Sequence, residues 1–117
     1  MIPDRERQYL DFIAESIRRI QQYLPDGLPA FLDDPMRQDA IVWRLQAIAD
    51  AAKNHLSDEL KARHPDVPWR AVYGFRNVAA HQYADINLDL VWEIATLHLA
   101  TLDRAVGAEL SRRPRPA

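Results

Sequence analysis

The stretch QDAIVWRLQAIADAAKNHLSDEL, residues 38–60, carries a long apolar stripe that indicates the fold class. Its apolar residues recur every three or four positions, which places them along one side of a helix. They are Ile41, Leu45, Ile48, Ala49, Ala52, Leu56 and Leu60. Just upstream, Asp34 followed by Pro35 is typical of a helix start, with Asp34 as the N-cap and the proline in the first turn. The pattern predicts an amphipathic helix from about residue 35 to about residue 63.

Three further helices are predicted on either side of this one. Residues 4–24 carry a similar apolar stripe, and LPDGLP, residues 24–29, favours a turn and loop after it. RHPDVPWR, residues 63–70, interrupts the chain again, because its two prolines cannot both lie inside one continuing helix. Pro68 suits the first turn of a third helix. Asn87 is predicted to cap a fourth helix that ends near Leu110.

The chain shows no sign of strands, since no segment alternates apolar and polar residues and only three glycines are available for hairpin turns. We therefore predict an all-α, antiparallel four-helix bundle formed by a single domain over residues 1–110. The basic tail SRRPRPA, residues 111–117, is predicted to be disordered, because Pro114 and Pro116 prevent a helix there.

The composition excludes several classes of protein. A net charge of -2 argues against the broad positive field of indiscriminate nucleic-acid binders. The absence of cysteine excludes a disulfide framework, a Cys-based zinc site and a thiol nucleophile. The N-terminal residues MIPDRERQYLDFI are charged early and contain no long apolar run, so we expect no signal peptide and no membrane span. We expect a cytoplasmic protein.

The segment GFRNVAAHQYADI, residues 74–86, gathers Arg76, Asn77, His81 and Tyr83 near the end of the predicted third helix. On an ideal helix, Arg76 and Tyr83 lie about 20° apart in projection, whereas Arg76 and His81 lie about 140° apart. One undistorted helix therefore cannot aim Arg76 and His81 at the same atom. Either the helix ends or distorts near residue 81, or a second copy of the chain contributes its own motif to a shared cleft.

These four residue types suit phosphodiester chemistry on RNA. Arginine presents a permanently charged planar fork that can hold a phosphate, and histidine exchanges a proton near neutral pH. Asn77 can bind the phosphate or orient the histidine, and Tyr83 can stack on a base or donate its hydroxyl. RNA supplies its own nucleophile, the 2′-hydroxyl, so no metal is needed. The alternative is structural: a surface arginine, a capping asparagine, and a histidine and a tyrosine packed at a helix end.

The motif also carries a family resemblance. RNVAAHQY, residues 76–83, matches the Arg-x4-His-x-Tyr pattern of the HEPN superfamily. The flanking PWRAVYGFRNVAAHQYADINLDLVWEI and the earlier QDAIVWRLQAIADAAKNH resemble its HepT-type toxins, so the similarity extends over roughly residues 6–108. The resemblance implies a helical bundle that dimerises around a shared cleft and cleaves RNA without a metal or cofactor. It implies that Arg76 and His81 are catalytic and that Asn77 and Tyr83 support them.

The same resemblance implies a partner, a small nucleotidyltransferase antitoxin of the MntA type that transfers AMP from ATP onto Tyr83. Anionic AMP groups beside His81 would fill the cleft and repel an RNA phosphate. Two other functions stay open. A chain that accepts AMP but cleaves no RNA would be a docking module for the nucleotidyltransferase, and a chain whose Arg76 and His81 face no cleft would be a helical assembly protein.

The other histidines, the tryptophans and the charged side of the second helix give weaker signals. His55, His64 and His98 show no metal-ligand spacing, and His98 is predicted to be a core residue of the fourth helix. The remaining residues fall into two groups. The predicted core or dimer-interface anchors are Trp43, Trp69 and Trp92. The predicted solvated surface comprises Arg44, Asp50, Lys53, Asp58, Glu59 and Lys61.

Overall fold

The computed structural model describes residues 4–78 and 86–112. Every regular secondary-structure element among these residues is a helix. In chain order the elements are α1 (Asp4–Tyr23), α2 (Leu28–Leu32), α3 (Pro35–His55), α4 (Asp58–Ala62), α5 (Trp69–Tyr73), a 3-10 helix (Gly74–Val78), α6 (Leu88–Leu97) and α7 (Ala100–Arg112). The all-α class is therefore confirmed. The four-helix antiparallel topology and the dimer stay predictions.

Helix α3 lies at the centre of the fold, where it contacts α1, α2, α5, the 3-10 helix and α6. The apolar stripe predicted along it is buried, and Ile41, Leu45 and Ile48 have no exposed surface. On α1, Leu10 and Ile13 are equally buried. Burying one such side chain completely stabilises the fold by about 1.5–3 kcal/mol. The packing of α1 against α3 and α7 therefore builds the core on which the other helices rest.

Both predicted helix caps are confirmed. The Asp34 carboxylate accepts a hydrogen bond from the backbone N–H of Arg37 at 3.2 Å, with Pro35 in the first turn of α3. The Asn87 side chain accepts one from the backbone N–H of Leu90 at 3.1 Å. Each cap satisfies one of the donors that a helix start leaves without an intrahelical partner.

The second helix ends earlier than predicted. It stops at His55, because Leu56 adopts an extended conformation with φ -106° and ψ 138°. Ser57 then caps the short α4 by accepting a hydrogen bond from the N–H of Leu60 at 3.1 Å. The prediction of one helix to residue 63 was wrong because this local cap competes with helix continuation. Leu56 and Leu60 are nevertheless buried, as the apolar stripe indicated.

The predicted loop at LPDGLP contains the start of a helix. Gly27 takes φ +107°, a left-handed conformation that glycine adopts at little cost, and α2 begins at Leu28 with Pro29 in its first turn. Phe31 on this short helix is fully buried, and its ring lies 5.4 Å from that of Trp92. The residues after Gly27 therefore add to the core instead of forming loop.

The fourth helix is interrupted, and the prediction that His98 is a core residue was wrong. Helix α6 ends at Leu97 and α7 begins at Ala100. The interruption changes the helical register, so that Leu99 is buried while the side chain of His98 is 50% exposed. The prediction assumed one continuous helix with one apolar stripe, whereas the structure has two helices whose apolar residues lie in different registers.

The tryptophans divide between the core and the surface. Trp69 and Trp92 are half-buried and pack against the core. Trp43 is 57% exposed, so it is no core anchor within the described part of the chain.

The charged side of the second helix is mostly exposed, as predicted, but two of its cations are held by other residues. Arg44 is half-buried and donates to the Ser16 hydroxyl at 3.1 Å. The Lys61 ammonium lies 4.9 Å from the ring centre of Tyr73. Across residues 4–78 and 86–112, no helix combines the length and hydropathy needed to cross a membrane.

Candidate active site

The segment from Trp69 to Asn77 presents two different faces. Its inward face carries Val72 and Phe75, which are buried in the core. Its outward face carries Arg70, Arg76 and Asn77, which are exposed. Because apolar residues recur at helical spacing along this segment, their burial directs the intervening polar side chains outward.

The helix distorts before the motif begins. Helix α5 ends at Tyr73, and the 3-10 helix starts at Gly74, so Arg76 and Asn77 lie on the tighter geometry. The projected angle of an ideal α-helix therefore does not apply at Arg76. The predicted distortion near residue 81 falls outside the described residues.

A groove of about 680 Å³ runs between α3 and this segment. One wall is α3, which contributes Gln46 and Lys53. The other wall is α5 with the 3-10 helix. The residues of that wall are Arg70, Tyr73, Gly74, Arg76 and Asn77.

The groove is cationic although the chain as a whole is acidic. Lys53, Arg70 and Arg76 line it, and among residues 4–78 and 86–112 no carboxylate belongs to its lining. The neighbouring carboxylate on α3, Asp50, lines a different depression and accepts a hydrogen bond from Asn54 at 2.8 Å. A groove lined by one sign of charge concentrates the opposite charge, so this one suits an anion.

Arg76 is anchored through its backbone while its side chain stays free. The Gln46 side-chain amide donates to the Arg76 carbonyl oxygen at 3.4 Å. Within residues 4–78 and 86–112, the Arg76 guanidinium forms no ion pair or hydrogen bond. The guanidinium is therefore held at the groove with its donors available to a ligand.

Behind the groove, a buried carboxylate fixes the junction between α4 and α5. Glu109 on α7 is fully buried and accepts from Arg63 at 2.7 and 3.2 Å and lies 2.7 Å from the His64 ring nitrogen. The hydrogen bond to Glu109 raises the pKa of the Arg63 guanidinium above its ordinary value, against a smaller lowering by desolvation. Arg112 lies 3.5 Å from the same carboxylate. We call Glu109 with Arg63, His64 and Arg112 the Glu109 cluster.

Trp69 connects the Glu109 cluster to the groove. Its indole N–H donates to the carbonyl oxygens of Lys61 and His64, both at 3.2 Å. Both carbonyls also accept backbone N–H groups, Lys61 from His64 at 3.0 Å and His64 from Val67 at 3.2 Å, so the indole joins the two turns that follow α4. Since Arg70 follows Trp69 directly, this anchor sets the position of the groove wall.

Of the four residues predicted to form the site, the structure brings Arg76 and Asn77 together at the groove. His81 and Tyr83 lie outside the described residues. Two further residues line the groove: Lys53, which was predicted to lie on a solvated surface, and Arg70, for which no role was predicted. The available signal was helical register, since Gln46 and Lys53 are seven positions apart and share one side of α3.

Comparison with known proteins assigns the chain to a family. The sequence model described as ribonuclease HepT-like matches residues 13–108. A relative from Thermococcus cleftensis, named "Probable ribonuclease HepT", is 31% identical over 88 residues, covering 74% of this chain and 79% of its own. A relative from Caldanaerobacter subterraneus subsp. tengcongensis, named "Putative RNase", is 29% identical over 99 residues, covering 85% of this chain and 82% of its own.

A third relative, "mRNA nuclease HepT" of Shewanella oneidensis, is 26% identical over an alignment of 117 positions, which covers 80% of this chain and 87% of its own. No solved structure matches the chain. The family match extends over most of the sequence and includes both walls of the groove. The chain therefore belongs to the ribonuclease HepT-like family.

Proposed function

We propose that this protein is a metal-independent endoribonuclease and the toxin of a toxin–antitoxin pair. Its family membership and its similarity to a relative named as an mRNA nuclease support this proposal. The observation that carries it is the exposed guanidinium of Arg76 beside Asn77, which has no ion pair and no carboxylate beside it in the groove among the residues that the structure describes. An arginine in that setting can bind a phosphate and stabilise the negative charge that develops on it.

In the proposed reaction, the 2′-oxygen of a ribose attacks the adjacent phosphorus, and a base removes the proton of that hydroxyl. The bond from phosphorus to the 5′-oxygen breaks, and an acid gives this oxygen a proton. His81 acts as base or acid, and Arg76 stabilises the five-coordinate phosphorus. Asn77 and Tyr83 hold the substrate. The products are a 2′,3′-cyclic phosphate and a 5′-hydroxyl.

The proposed site is completed by a second copy of the chain. A symmetric homodimer would place two motifs around one cleft, so that one His81 can serve as base and the other as acid. We place this dimer in the cytoplasm, where its RNA substrate lies.

We further propose that a nucleotidyltransferase of the MntA type inhibits the enzyme. The Tyr83 hydroxyl attacks the α-phosphorus of ATP, AMP is transferred to the tyrosine, and pyrophosphate leaves. The added phosphate brings negative charge beside His81, where it competes with the RNA backbone for the same cations.

The decisive experiment incubates the purified protein with end-labelled RNA in EDTA and identifies the product ends. We expect cleavage that leaves 2′,3′-cyclic phosphates and disappears in His81→Ala. The control is His55→Ala, which removes a histidine whose ring stacks on Tyr9 outside the groove and should leave cleavage by the folded protein unchanged. Cleavage that survives His81→Ala would overturn the assignment.

A second measurement tests the partner. The protein is incubated with the nucleotidyltransferase and ATP and then weighed by mass spectrometry, with Tyr83→Phe as the control. AMP on Tyr83 together with loss of cleavage supports inhibition by modification. AMP on Tyr83 in a protein that never cleaves RNA would instead support the docking module.

A further inference from the structure

We propose that Lys53 and Arg70 are substrate-binding residues that hold backbone phosphates of single-stranded RNA beside the scissile bond. The inference rests on the proposed function, since it extends the RNA site beyond Arg76. It adds two cations that come from different helices and lie outside the motif.

The charges that line the groove support this assignment. Elsewhere in the described chain, several arginines form ion pairs with carboxylates, among them Arg19 with Glu15, Arg37 with Asp34 and Arg63 with Glu109. Lys53 and Arg70 form no ion pair or hydrogen bond within residues 4–78 and 86–112, and both are exposed. They face a groove that already contains the free Arg76 guanidinium. Three unneutralised cations in one groove favour a ligand with several negative charges, such as a polyphosphate backbone.

The positions of Lys53 and Arg76 along the groove also support this assignment. Lys53 is seven residues from Gln46, which is about 10 Å along the axis of α3. Gln46 is the residue that contacts the Arg76 backbone. Lys53 therefore projects from a different level of the groove than Arg76, so the two cations suit different phosphates of one strand.

The residues that line the groove favour binding to the RNA backbone over binding to the bases. Among the described residues that line the groove, Lys53, Arg70 and Arg76 are cations, and cations recognise phosphate irrespective of base sequence. The Gln46 amide N–H is already engaged by the Arg76 carbonyl oxygen. A volume of about 680 Å³ falls in the range of small-molecule sites, which suits part of a single strand better than a duplex. We therefore assign the groove to the backbone and not to the bases.

The test measures binding of fluorescent 2′-O-methyl RNA to the full-length protein by anisotropy. This probe cannot be cleaved, because its 2′-oxygen carries no proton to lose. We compare the wild type with Lys53→Gln, Arg70→Gln and the control Arg104→Gln, which removes the same charge from an exposed position on α7. Two unrelated base sequences are used at several salt concentrations.

We expect Lys53→Gln and Arg70→Gln each to raise Kd about fivefold, equally for both base sequences. Each should also reduce the slope of log K against log salt by about 0.7, the value for one single-strand phosphate contact. Arg104→Gln should change neither quantity. With cleavable RNA, the two groove variants should raise KM and leave kcat unchanged, as expected when binding is weakened equally in the ground and transition states.

Wild-type affinity and salt slope in both groove variants would overturn the inference, and so would a loss that depends on base sequence. These results are separable from those that test the proposed function. If cleavage depends on His81 but the groove variants bind normally, the phosphate assignment alone fails. If no cleavage occurs but the groove variants lose binding, the nuclease assignment fails and the phosphate site stands.

Discussion

The Glu109 cluster and the groove place similar cations in opposite environments. In the cluster, Arg63 and His64 surround one fully buried carboxylate. In the groove, Arg70 and Arg76 lie on a wall where the described residues include no carboxylate, and their guanidinium groups form no ion pair with those residues. An arginine with a partner of opposite charge is held in a structural role, whereas an arginine without one stays available to an anionic ligand.

The two environments are joined by adjacent residues. Trp69 donates to the carbonyls at the end of α4, close to the Glu109 cluster, and Arg70 is the next residue and lines the groove. We therefore expect the Glu109 cluster to determine the stability of the fold and the groove to determine the activity on RNA. Substitutions in each region can test this division.

The largest effect is expected at Arg76. Arg76→Ala should reduce kcat for RNA cleavage about 100- to 1000-fold, because it removes the group that we propose to stabilise charge on phosphorus. The free energy of unfolding should change by less than about 0.5 kcal/mol, since the side chain is exposed and unpaired. Cleavage of labelled RNA and urea unfolding measure the two quantities.

Arg76→Lys separates the charge of this residue from its shape. It keeps a cation but loses the planar fork, so we expect activity between that of the wild type and Arg76→Ala. Unfolding of Arg76→Ala at clearly lower urea concentration than the wild type would contradict the division between the two regions.

A smaller effect of the opposite kind is expected at Glu109. Glu109→Ala should lower the free energy of unfolding by about 2–3 kcal/mol, because it leaves Arg63 and His64 without their shared acceptor. The measurement is urea unfolding, with kcat determined at a temperature where the variant is folded. Cleavage per folded molecule should be retained.

The matched control for Glu109→Ala is Glu93→Ala. Glu93 is an exposed carboxylate 3.4 Å from the ring nitrogen of His98. An exposed pair of this kind contributes between about 0 and 1 kcal/mol. Equal losses of stability in the two variants would show that burial does not distinguish Glu109.

The smallest effect is expected at Trp69. Trp69→Phe keeps an aromatic ring in the core but removes the indole N–H that two backbone carbonyls accept. We expect a loss of about 1 kcal/mol in the free energy of unfolding. Trp43→Phe, at an exposed tryptophan, should leave this quantity nearly unchanged. Thermal and urea unfolding of both variants check the difference, and an equal loss in both would argue against the anchor.

The sequence predicted the features that depend on neighbouring residues. The Asp34 and Asn87 caps and the burial of the α3 stripe follow from local hydrogen bonds and helical periodicity, and each is confirmed. Features that depend on competition between local patterns were missed. Ser57 ends α3 early, and the interruption at His98 changes which side of the last helix faces the core.

The groove could not be predicted from the motif alone. Lys53 and Arg70 are separated by 17 positions, and only the packing of α3 against α5 brings them to one surface. Spacing along the chain reports neighbours on one helix but not contacts between helices. The convergence of Arg76 with His81 and Tyr83 stays a prediction, because the last two lie outside the described residues.

The backbone anchor of Arg76 has a consequence for how this protein can vary. Gln46 contacts the carbonyl oxygen of residue 76, an atom that every amino acid possesses. A single-codon change at this position can therefore remove the proposed chemistry and leave the fold and the helix packing intact. A lineage could thus retain an inactive chain as a well-folded binding protein, and natural sequences that lack this arginine should still encode folded domains.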